Sequence, residues 1–245
     1  MLWLKRLTAS KMKPVGIPDF NKAPWRTINL SGTELRFKNP SQTTGIFAEH
    51  FPDRFYLYGE DYELWPDGLG MTQDIFKSGW SFFDHLIWGE GSVGGLDVYI
   101  QVQRRHPHNR SIDSLFKDED ARQWIQRIND NSFNDSDSDQ NWIYPRAAHE
   151  LPISEINGTA FYSYKATDWP HTWKSYFETP ITDDHLLIFR FNPSSWHKHL
   201  INDLDTVSEA AEKTVQSFME NVHIKLSDDA LRCQAVYQSP SSCPA

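Results

Sequence analysis

Cysteine is nearly absent from this sequence: Cys233 and Cys243 are the only two in 245 residues, so no disulfide framework can organise a fold of this size. They could close a small loop at the end of the chain in an oxidising compartment, and the core must stand without them. Cys243 is third from the end, whereas prenylation needs a cysteine fourth from the end. Basic residues are also scarce, with 24 Lys and Arg against 33 Asp and Glu and a net charge of −9. That balance repels phosphate backbones and excludes nucleic acid as an expected partner. No apolar run approaches the length of a spanning helix, so no stable membrane insertion is expected. Lys5 and Arg6 interrupt the first apolar residues before a secretory signal can form, which makes a cytoplasmic location the expectation. Without such a signal, the glycosylation sequons at Asn29, Asn109, Asn134 and Asn157 have little force.

Catalytic and cofactor motifs are missing too, which leads to the expectation of no cofactor and no metal. There is no Walker loop and no Gly-x-Ser-x-Gly elbow to expose a nucleophile. Gly89, Gly91 and Gly94 match the spacing of a dinucleotide fingerprint, but a strand pattern follows where the chemistry needs a helix N-terminus for the pyrophosphate. Asp135, Asp137 and Asp139 alternate like calcium ligands, yet an EF-hand starting at Asp135 would put Gln140 at the required glycine and Arg146 at the bidentate glutamate. His106 with His108, His197 with His199, and Asp183-Asp184-His185 lack the helical spacing of a zinc site.

Aromatic residues are abundant: 10 Trp, 15 Phe and 9 Tyr give the chain large rings to spare for a pocket or a partner surface. The first thirteen residues carry Lys5, Arg6, Lys11 and Lys13 with no acid among them, and Leu2, Trp3, Leu4 and Leu7 could form a short amphipathic anchor beside those charges. A frayed basic start is the competing reading of residues 1–20. Residues 21–230 are read as one domain and 231–245 as a tail.

Thr27–Leu30 and Thr33–Phe37 flank Ser31-Gly32, a tight hairpin in which Gly supplies the positive φ. Arg54–Tyr58 and Ser81–Trp88 read as strands, and Leu96, Val98, Ile100 and Val102 alternate onto one sheet face. Asp118 is placed to cap a helix in which Ala121, Trp124, Ile125 and Ile128 share a face. Residues 129–141, dominated by Asn, Asp and Ser, should be a solvated loop. Asn157-Gly158 marks a turn before the strand at Phe161–Lys165, and His185–Phe191 is a further strand. Thr206 and Glu209 form a capping box for a helix presenting Val207, Ala211, Val215, Phe218 and Val222, after which Ile224 and Leu226 enter a last short strand.

In Asn157–Tyr164, in His185–Phe191 and in Ala211–Leu226, the chain resembles the PsbP-like α/β/α sandwich, mainly beyond Leu96. The expected fold is α+β, an antiparallel sheet covered by helices in an α/β/α sandwich, with an elaborated aromatic front half that departs from the family's compact pattern. The resemblance implies an accessory scaffold that binds another protein, such as a toxin-neutralising (immunity) or chaperone-like adaptor, and it carries no site residues.

The expected partner-binding residues are Trp169, Trp173 and Tyr176, because a Pro-containing stretch suits a loop that presents rings as interface anchors. Rings covering the end of the core are the alternative. The competing function is a hydrolase acting on a glycan or other polar polymer, with Glu60, Asp61 and Glu63 as paired carboxylates.

Overall fold

The computed structural model describes residues 2–10, 13–44, 51–89, 91–133, 142–168, 172–195 and 203–238. Its centre is a seven-stranded sheet containing the long hairpin of β5 (Gly70–Phe83) and β6 (Ser92–Arg105). The other strands of that sheet are β4 (Glu63–Leu64), β7 (Ile153–Ile156), β8 (Thr159–Asp168), β9 (Thr172–Pro180) and β10 (His185–Ser195), in the order β4-β5-β6-β10-β9-β8-β7, every neighbour antiparallel. A second sheet has four strands in the order β11-β2-β1-β3, where β1 is Trp25–Leu30, β2 Thr33–Lys38, β3 Arg54–Phe55 and β11 His223–Lys225. The described helices are α1 (Leu2–Arg6), α2 (Asp118–Phe133), α3 (Asp203–Met219) and α4 (Asp228–Gln238), with a 3-10 turn at Ala148–Glu150. The α+β class expected from the sequence is therefore the architecture found.

Strand period decides what covers each face of the large sheet. Leu96, Val98, Ile100 and Val102 of β6 lie on the same face as Leu187, Phe189 and Phe191 of β10 and are fully buried. Over this face lie α3, through Val207, Ala211, Val215 and Phe218, and the small sheet, through Ile28, Leu30, Leu35 and Phe37. Phe218 is the hub, with its ring 5.6–6.3 Å from those of Phe37, Phe191, Phe20, Trp80 and Phe189. The opposite face carries Leu186 and Ile188 of β10 and Tyr162 and Tyr164 of β8, covered by Ala121, Trp124 and Ile125 of α2.

Both expected turns form: Ser31 and Gly32 have φ of 50° and 99°, and Asn157 and Gly158 have φ of 50° and 79°, the left-handed pairs that two-residue hairpins need. The Asn157 side-chain amide also donates to the Glu220 and Val222 carbonyls at 3.0 and 2.8 Å, tying this turn to the end of α3.

Other expectations need correction. The strand expected at Arg54–Tyr58 is two residues long, and the one expected at Ser81–Trp88 stops at Phe83 because residues 84–89 form a hydrogen-bonded turn. Helix α2 continues to Phe133, since Asn129 is buried against the sheet rather than solvated; residues 134–141, with the Asp135–Asp139 run, lie outside the described residues. The Asp118 carboxylate pairs with Arg122 and accepts from Tyr162 OH. Helix α3 already includes Thr206, so the capping box is not its start. The last strand joins β2 of the small sheet, and α4 crosses the expected boundary at 231. Cys243 lies outside the described residues.

Candidate functional site

The segment chosen from sequence as an irregular aromatic loop is for the most part a strand. Trp169 lies outside the described residues, while Trp173 and Tyr176 sit on β9, paired with Thr167 and Tyr164 of β8. Three positions apart on a strand, they point to opposite faces, so they cannot form one anchoring surface. Trp173 is 7% exposed and donates its indole N–H to Ser208 Oγ of α3 at 2.8 Å. Tyr176 stacks on Tyr164 at 5.1 Å beneath α2. Pro170 misled the reading, because the chain resumes its pairing within two residues. Trp173→Ala should therefore cost about 3 kcal/mol of unfolding free energy, as buried Trp truncations do. Chemical denaturation checks this, and a loss below about 1 kcal/mol would show that the ring is dispensable to the fold.

Glu60, Asp61 and Glu63 are exposed. The histidines do not converge either: among the described residues, no group of three or more His, Cys, Asp and Glu side chains could hold a metal ion. His185 is fully buried with both ring nitrogens engaged, Nε2 to the Leu57 carbonyl and Nδ1 to Thr182 Oγ1, each at 2.7 Å. A carbonyl can only accept, so Nε2 carries the proton and Nδ1 accepts from the threonine hydroxyl. Burial pushes the pKa of His185 down to about 4. His106 and His108 lie ring to ring at 5.1 Å, and His197 and His199 lie outside the described residues.

Beneath α2 lies a buried polar group that sequence reading missed. Glu178 is completely buried, and Tyr164 OH sits 2.7 Å from both its Oε1 and Asn129 Oδ1. Desolvation drives the Glu178 pKa up from 4.5 to about 7. The alternation of β9 carried the signal: Tyr176 and Glu178 share a face that α2 covers. This triad fastens a helix to a sheet and opens onto no described cavity.

The most exposed ring among the described residues lies elsewhere, at the tip of the β5–β6 hairpin. Trp88 is 86% exposed and Ile87 65%, with exposed Leu86 beside them and exposed Trp3, Leu4 and Leu7 on the neighbouring N-terminal segment. These two segments, some eighty residues apart, are locked together by the backbone. Leu86 N–H donates to the Arg6 carbonyl at 3.0 Å, Arg6 Nε donates to the Asp84 carbonyl at 3.0 Å, and Val15 bridges Phe83 in both directions. The Arg6 guanidinium also covers the Phe83 ring at 5.3 Å. Within the tip, His85 Nδ1 accepts the N–H groups of Ile87 and Trp88 at 3.1 and 3.2 Å, and Asp84 Oδ1 accepts that of His85 at 2.6 Å. Side chains thus hold the turn in shape while Ile87 and Trp88 face solvent.

Neither a family model nor a curated protein matches the chain. Among solved structures, LpqN, described as involved in cell envelope biogenesis of Mycobacterium tuberculosis, aligns over 65% of this chain and 93% of its own, with 6% identity and a TM-score of 0.34. A likeness that slight carries no argument about fold or function. No helix among the described residues is long and apolar enough to cross a membrane.

Proposed function

We propose that this chain is a non-enzymatic protein-binding module that grips its partner through the Trp88 tip. The observation that carries this reading is the Trp88 ring left in water beside exposed Ile87 and Leu86, on a turn whose backbone is held by His85. Exposed apolar residues scattered singly mean little, but contiguous ones mark interaction surfaces. Trp is the residue most enriched among interface hot spots, and a pre-formed turn avoids the ordering cost of binding. A partner with an apolar pocket for the indole and acidic groups opposite Lys5 and Lys13 fits the tip. A protein partner suits it better than an anionic bilayer, because the whole chain is acidic. A toxin-neutralising or chaperone-like role is the context that the PsbP-like resemblance implies. The hydrolase reading has only Glu60, Asp61 and Glu63 to rest on, and none of them lines the cavity described below.

A photo-crosslinking residue at Ile87, used in extract of the native host, should trap one protein, and that purified protein should bind the unmodified chain. Trp88→Ala should then weaken binding by about 2 kcal/mol and leave unfolding within about 0.5 kcal/mol of the parent. Unchanged affinity in Trp88→Ala, or co-sedimentation with anionic vesicles in place of a protein adduct, would overturn the assignment.

A further inference from the structure

Toward the other end of the β5–β6 hairpin, between the C-terminal half of α2, the Trp65–Asp67 loop and the large sheet, lies a cavity of about 490 Å³. That volume is in the range of pockets that enclose small ligands. Its walls include Trp65, Gln101, Gln103, Ile128, Asn131 and Arg190. The pairing of β6 with β10 sets its floor: Arg190 stands opposite Tyr99, and the guanidinium lies 4.4 Å over that ring. Stacking on an aromatic face leaves the planar fork free to meet a carboxylate edge-on.

Arg190 has no ion-pair partner among the described residues, and its Nε is buried with no hydrogen-bond partner. Asp67, itself in the cavity wall, and Asp74 have other partners. Asp67 accepts from Asn131 Nδ2 at 3.1 Å and faces Arg127 at 3.9 Å, while Asp74 is held by Lys77 at 2.9 Å and Gln101 Nε2 at 2.6 Å. Gln103 supplies an independent sign. It is only 8% exposed, it lines this cavity, and its Oε1 has no hydrogen-bond partner. A buried acceptor left unmet is costly, and native structures rarely leave one without a purpose. Trp65 completes the wall, held in place by stacking on Trp124 at 5.3 Å and by donation of its indole N–H to Thr72 Oγ1 at 2.7 Å.

The geometry points to a binding site for a small organic carboxylate that carries a hydroxyl or amide N–H donor beside its acid group. Arg190 takes the carboxylate, Gln103 Oε1 accepts the donor, and the Trp65 ring packs against the ligand's carbon skeleton. Sugar acids and N-acylated amino acids both present this chemistry. The site is separate from the Trp88 tip, so it stands or falls without the proposed function.

Calorimetric titration of the full chain with glucuronate, N-acetylalanine and glucose tests it. Saturable binding of at least one acid with glucose silent is the expected result; glucuronate alone assigns the sugar acid, N-acetylalanine alone the acylated amino acid. Arg190→Gln should weaken that binding by about tenfold or more, and Gln103→Leu by about fivefold. Both acids silent on the wild-type chain, or glucose binding as tightly as they do, overturns the assignment. So does unchanged affinity in either variant, and Gln103→Leu, which removes an unmet polar group, keeps the test decisive if Arg190→Gln does not fold.

Discussion

Replacing Phe218 by alanine should cost about 4 kcal/mol of unfolding free energy, the upper range for a buried phenylalanine. The ring is 1% exposed and meets five aromatic neighbours drawn from three layers: Phe37 of the small sheet, Trp80, Phe189 and Phe191 of the large one, and Phe20 from the segment before β1. Truncation leaves a cavity that none of these can fill alone, because each is held from a different element. Phe218→Leu should recover more than half of the loss. Chemical denaturation of both variants checks this, and a loss below about 1.5 kcal/mol for Phe218→Ala would mean the layers close over the gap.

The second large effect depends on pH. Glu178 has a pKa near 7 when folded and 4.5 when unfolded, so between those values the folded chain holds a proton that the unfolded chain releases. Its contribution to stability therefore falls as pH rises from 4.5 to 7, by an amount on the order of 3 kcal/mol. Asp97, raised from 3.8 to about 6 by burial, acts in the same direction across its own window. His185 opposes them, because its folded pKa of about 4 lies below the unfolded 6.5 and stability falls as pH drops through that interval. Total stability is thus flattened between pH 4.5 and 6.5, and the individual contribution is visible only by difference. Glu178→Gln keeps an acceptor for Tyr164 and removes the charge. The variant should match the parent near pH 4 and exceed it by about 2–3 kcal/mol at pH 8. Equal stability at both pH values would show that the carboxyl is hydrated in solution.

Much of the architecture was legible in the sequence wherever local signals agreed. The Ser31-Gly32 and Asn157-Gly158 turns, the alternation in Leu96–Val102 and the spacing of Val207 through Phe218 each name one backbone state. Strand β5 escaped because Gly70, Gln73, Lys77 and Gly79 dilute its pattern. Only its pairing with β6 shows that Phe76, Trp80 and Phe82 face the core. The aromatic segment of β9 was misread for the opposite reason: rings suit an interface and a core equally, and burial alone separates them. The Trp88 tip was hidden inside an apparently good strand pattern, Phe82 to Trp88, since nothing local reveals that pairing stops at Phe83. Gln103 and Arg190 have no signature at all in one dimension. They become a site because β6 and β10, some ninety residues apart, are neighbours beneath α2.

The placement of β11 has a consequence for how the molecule is made. The small sheet opens with β1 and β2, yet β2 acquires its outer neighbour only from His223–Lys225, nearly two hundred residues later. Until α3 carries β11 into position, the first hairpin keeps one margin bare. A chain truncated before Val222 should consequently remain open to protease at Thr33–Lys38, and one that retains His223–Lys225 should be protected there.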